Sequence, residues 1–154
     1  MATATKEQKG NVTVVTLAGS IDEADDFSKL IGTPQGGLQV KCKGVTRINS
    51  MGVKSWIKYF TSLVANKISV QFFEVTTPLV ENANMVQNFI PKDSVFSVMA
   101  PYRCPACNTN LVAEMKTEDV TKSAFNPPAL KCPKCAKPAE FDDMPDEFFA
   151  FMKN

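Results

Sequence analysis

Residues 38–65 read LQVKCKGVTRINSMGVKSWIKYFTSLVA, and this stretch decides the fold. Leu38, Val40 and Cys42 alternate with Gln39, Lys41 and Lys43, the period of a half-buried strand within Leu38–Ile48. The period then changes. Val53, Trp56, Ile57, Phe60, Leu63 and Val64 recur at helical spacing, with Lys54, Lys58 and Thr61 on the other side. Ser50 is placed to cap this helix, over about 51–65. A strand that leads straight into an amphipathic helix is half of a βαβ unit.

The same alternation extends in both directions. Upstream, Asn11–Ser20 is rich in Val and Thr and predicts a strand. Asp22 is placed to cap a helix over about 23–31, with acidic residues in its positive first turn and Gly32 as its stop. Residues 33–37, TPQGG, form a turn; no Lys-Ser or Lys-Thr follows to make a phosphate loop. Downstream, Ile68–Val75 predicts a third strand. Thr77-Pro78 opens a helix that Pro91 ends, and Ser94–Met99 predicts a last short strand. Strands alternating with helices over residues 1–100 predict an α/β fold. Its sheet is mixed or mostly parallel, with right-handed crossovers and helices mainly on one face.

The composition changes near residue 100. Four of the five cysteines and seven of the ten prolines lie beyond it, so residues 101–154 read as a second, small unit. Cys104-Pro-Ala-Cys107 and Cys132-Pro-Lys-Cys135 are two CxxC pairs. Each can wrap two sulfurs around one cation, and together they complete a tetrahedral S₄ shell. Four soft thiolates favour zinc, with iron second. A closed shell leaves no position for water, so the ion is expected to stabilise folding rather than hydrolyse a substrate. A redox dithiol or a disulfide set fits two such pairs poorly in a reducing compartment. Cys42, alternating in a strand with no partner pair, reads as a small buried apolar residue.

The paired CPxC elements resemble a zinc ribbon over 104–140. In that module glycine usually follows each knuckle. Asn108 and Ala136 stand there in this chain, which predicts a less regular second knuckle, because Ala tolerates a left-handed backbone less well than Asn.

Gly44 to Val53, GVTRINSMGV, carries a second resemblance. A strand, a polar pair, a glycine in the first helical turn and an amphipathic helix resemble the STAS family, named for sulfate transporters and anti-sigma-factor antagonists. Gly19-Ser20-Ile21-Asp22 and the order of elements fit that fold over about 10–100. The resemblance implies a regulatory binding module in bacterial-type signalling. In regulatory members a kinase phosphorylates the hydroxyl residue just before the glycine. Met51 occupies that position here and has no hydroxyl, so the resemblance implies a module not switched there. It places the partner surface at the helix start: Asn49, Ser50, Met51, Lys54, Ser55 and Lys58. The plainer alternative is that Ser50 is only a cap, Met51 a gap filler and the lysines a solvated face.

In the tail, Asp143 can cap a short helix with Pro145 early in it. Phe148, Phe149 and Phe151 either pack on the protein itself or form a docking patch for another chain.

Composition narrows the function. The chain has no histidine, which removes the commonest general base near neutral pH and any Ser-His-Asp or Cys-His nucleophile. An enzyme is therefore not expected. The formal charge is +1, and Lys131, Lys134 and Lys137 with Arg103 and Tyr102 make a thin basic set. Nucleic acid is thus a less favoured partner than protein. No run of residues is long and apolar enough to span a bilayer. Met1–Gly10 is polar and unlike a signal peptide, so a cytoplasmic location is expected. The leading expectation is a non-catalytic protein–protein interaction module with a structural zinc, for which a homodimer is one form. The rivals are a nucleic-acid-binding ribbon and an iron electron carrier.

Overall fold

The computed structural model describes residues 1–91 and 93–153. Ala2–Lys9 forms β1 and Val12–Ile21 forms β2, an antiparallel hairpin turned at Gly10. The polar opening stretch is therefore a strand. Its hydrophilic composition reflects its place at a sheet edge, where most of its side chains meet water.

Phe27–Leu30 forms α1, shorter than the helix expected over 23–31. Its cap is Asp26, whose side chain accepts from the Ser28 N–H; Asp22 does not cap it. Asp25 explains the difference. Its buried carboxylate accepts from the backbone N–H of Ala2 at 2.9 Å and of Asp22 at 2.8 Å, holding residues 22–25 as a turn.

Gly37–Ile48 forms β3 and Ser50–Ala65 forms α2. Asn49, not Ser50, caps α2, its Oδ1 accepting from the Gly52 N–H at 2.8 Å. Val70–Phe73 forms β4, and Thr77–Met85 forms α3, which ends well before Pro91. Ser97–Arg103 forms β5, Asn110–Lys116 β6 and Thr117–Lys122 α4, a helix the sequence pattern does not suggest. Leu130–Lys131 forms β7, Pro138–Phe141 β8 and Pro145–Phe148 α5, followed by a 3-10 turn at Ala150–Met152. The residue at the cap of α5 is Met144; Asp143 instead accepts from the Met144 N–H.

The first sheet has the order β1-β2-β3-β4, with β1 antiparallel and the other pairs parallel. The second has the order β6-β5-β8-β7 and is antiparallel. Val95, just before β5, and Val98, at its start, join them: Val95 bridges Phe72 and Val98 bridges Val75, both in parallel. Residue 100, where the composition changes, lies inside β5.

Alternation sorts the first sheet into two faces. Val40, Cys42 and Phe72 point into the core, whereas Gln39 and Gln71 on the opposite face bond to each other at 3.1 Å. Trp56 of α2 is central to the core. It stacks on Phe89 at 5.1 Å and on Phe72 at 5.4 Å, and Phe60 lies 4.7 Å away. Its Nε1–H donates to the Phe89 carbonyl at 3.0 Å, so the buried indole leaves no polar atom unpaired. Among the described residues no helix is long and apolar enough to cross a membrane.

Candidate metal centre

Each CxxC pair sits in the turn of a β-hairpin. Residues 104–109 join β5 to β6, closed by the Arg103–Asn110 pair. Residues 132–137 join β7 to β8, closed by the Lys131–Pro138 pair. The two turns repeat the same hydrogen bonds. The Cys104 N–H donates to the Thr109 carbonyl at 2.9 Å and the Cys132 N–H to the Lys137 carbonyl at 2.8 Å. The Asn108 N–H donates to the Cys104 carbonyl, and the Ala136 N–H to the Cys132 carbonyl, each at 2.8 Å.

Closing so tight a loop requires a left-handed residue after the second cysteine. Asn108 has φ +64° and Ala136 has φ +61°. The second knuckle is thus as regular as the first, contrary to the expectation from its alanine. The hairpin bonds hold Ala136 in this conformation against a cost of roughly 1–2 kcal/mol. Arg103 secures the first turn from outside, its Nε donating to Asn108 Oδ1 at 2.9 Å.

Pairing of β5 with β8, Tyr102 opposite Phe141 and Arg103 opposite Glu140, sets the hairpins side by side at their turn ends. The four sulfurs consequently lie within 4.8 Å of one another. The Cys104 and Cys135 Sγ atoms are 3.4 Å apart, and those of Cys107 and Cys132 are 3.6 Å apart. A tetrahedral S₄ shell with Zn–S distances near 2.3 Å requires sulfurs about 3.8 Å apart. The cluster fits one such ion with small adjustments, and it brings together all four cysteines singled out in the sequence.

The sulfurs differ in surroundings. Cys104 and Cys132 are buried, Cys135 is half-buried and Cys107 is exposed. The Thr109 hydroxyl, 3.1 Å from the Cys107 sulfur, and the Thr109 backbone N–H bring that thiol down to about 6. At Cys135 the Lys137 N–H pulls the other way, but the neighbouring sulfurs, Cys104 first, together with burial push the thiol up to about 12. A metal ion takes thiolates, so its binding to this cluster would displace protons. Thr109 is not marked out by the sequence, beyond being a hydroxyl residue two positions after a cysteine.

The fifth cysteine, Cys42, lies outside the cluster. It is fully buried in β3, and burial pushes its thiol well up, as its place in an alternating strand predicts.

The six residues at the start of α2 are arranged on the surface. Asn49, Ser50, Met51, Lys54 and Lys58 are exposed and Ser55 is half-buried. Asn49 caps the helix with its carbonyl oxygen while its Nδ2 donates to Glu23 at 2.9 Å. Met51 leaves 51% of its surface in water, so it fills no gap in the core.

The tail packs on the protein itself. Phe148 and Phe149 are buried and Phe151 is half-buried; Phe141 stacks on Phe149 and meets Phe148 edge-on.

No model of a known protein family matches this chain. No curated protein matches it either.

Proposed function

We propose that this protein is a non-catalytic, STAS-like interaction module whose C-terminal hairpins are held by a structural zinc ion on Cys104, Cys107, Cys132 and Cys135. The observation that carries the metal assignment is the gathering of four sulfurs within 4.8 Å on two matched hairpin turns. When bound, the ion would supply a cross-link between the hairpins, with every tetrahedral position taken by protein sulfur. The chain's own residues prepare the shell. The hairpin bonds fix both turns, and β5–β8 pairing brings them together.

Support for an interaction role comes from the start of α2. An exposed, adaptable Met51 beside Lys54 and Lys58 offers an apolar contact ringed by charge, suited to a protein surface. The absence of histidine from the chain fits a role without acid–base catalysis.

Metal content measured by mass spectrometry on chain purified without added metal tests the first part; one zinc per chain is expected. A red protein carrying iron would replace zinc in the assignment and favour electron transfer. Capture from lysate with the wild type and with Met51→Glu tests the second part. The substitution sits in the first turn of an exposed helix end, where a negative charge is tolerated. A partner held by the wild type and lost by the variant supports the reading; equal capture by both rejects this surface.

A further inference from the structure

We infer that Cys107 is an oxidation site, at which hydrogen peroxide forms a disulfide with Cys132 across the two hairpins and releases the metal ion. The inference rests on the four cysteines acting as metal ligands. Their burial is unequal: only Cys107 of the four is exposed, while Cys104 and Cys132 are shielded and Cys135 partly so. An oxidant arriving from solvent therefore meets the Cys107 sulfur first. A ligand sulfur is also already a thiolate, the form that attacks peroxide.

The next sulfur along is set by the fold. Cys132 Sγ lies 3.6 Å from Cys107 Sγ, and it belongs to the opposite hairpin. The Cys107 thiolate attacks one peroxide oxygen, forming a sulfenic acid and expelling hydroxide. The Cys132 thiolate then attacks the Cys107 sulfur and expels a second hydroxide, leaving an S–S bond. Two thiolates lose two electrons and one peroxide gains them. Only Cys104 and Cys135 remain as thiolates, half of what a tetrahedral ion requires.

The new bond joins the same two turns that the ion joins. The oxidised chain thus keeps the hairpins together without metal. A bond inside one CxxC pair would instead leave the two turns without a covalent link, joined only through β5–β8 pairing.

Zinc-loaded full-length chain treated with hydrogen peroxide tests this. A zinc-responsive dye follows release, and alkylation, digestion and mass spectrometry map the cysteines. The expected result is release of the ion together with loss of two hydrogens and a peptide pair joined through Cys107 and Cys132. Cys42 should stay reduced. Retention of the ion in oxidised protein would overturn the proposal, as would a first disulfide of Cys104 with Cys107, of Cys132 with Cys135, or of Cys104 with Cys135. Chain purified without metal would count against the structural-metal reading instead. The same mapping on that reduced chain would still decide which cysteines pair.

Discussion

Asn84 and Phe151 are 67 positions apart in the chain, yet the Phe151 N–H donates to Asn84 Oδ1 at 2.8 Å. The same side chain donates from Nδ2 to the carbonyls of Glu147 and Phe148 at 3.0 and 3.1 Å. One amide on α3 thus satisfies three backbone groups of the tail. Phe148 and Phe149 are buried beneath that clasp. Asn84→Ala should cost about 1–3 kcal/mol, because three backbone groups lose their partner at once. Urea melts would give the loss, and amide exchange over residues 145–153 should quicken. Unchanged exchange there would refute the clasp.

Gly52 carries a prediction opposite to helix propensity. Alanine inside a helix is ordinarily favoured over glycine by about 1 kcal/mol. A Cβ on Gly52 would lie 2.7 Å from the Ile21 carbonyl oxygen, a backbone atom at the end of β2. Gly52→Ala should therefore destabilise by about 1–3 kcal/mol as α2 is pushed off the sheet. A rise in the thermal midpoint would show that the approach is not tight.

Asn49 joins two contacts, to Gly52 and to Glu23. Asn49→Ala should lower stability by about 1 kcal/mol, the usual value of a helix cap. Ser50→Ala, next door, should be near neutral, since Ser50 is not the cap. The two denaturation midpoints decide the order.

Metal removal should act locally. A chelator, or Cys132→Ser, should open the turns at 104–109 and 132–137, read as a large rise in amide exchange there. The Trp56 core should persist, because its contacts to Phe60, Phe72 and Phe89 do not involve the cysteines. Simultaneous loss of Trp56 fluorescence and the turns would mean that the ion holds the whole chain together.

Both tyrosines set an alkaline limit. Tyr59 donates to the Gly32 carbonyl and Tyr102 to the Pro128 carbonyl. Burial pushes both phenols up to about 12 from an ordinary 10.0. In the unfolded chain they ionise first, so the folded chain holds more protons between those values. Stability is full below about pH 10 and falls as pH rises towards about 12. Tyrosinate absorbance recorded beside the thermal midpoint should show both changes in this window. Ionisation at the ordinary value with no loss of stability would exclude it.

Several features of this protein are local and legible in the sequence. The switch from strand to helix period at residue 49 depends only on neighbouring side chains, and so does the pairing of cysteines within each CxxC. Other features depend on partners far along the chain. Asp25 ends up turning residues 22–25 because Ala2 lies beside it, and nothing near Asp25 announces that. The edge strand β1 is too polar to stand out as a strand until β2 pairs with it. At the cysteines, sequence alone determined which residues are suited to a metal and with what chemistry. Only tertiary structure decided that Cys107 faces solvent next to Cys132 and that Cys104 lies against Cys135. The spacing of a CxxC places two sulfurs on one turn, but the meeting of two turns is set by the hydrogen bonds between β5 and β8, which no local pattern encodes.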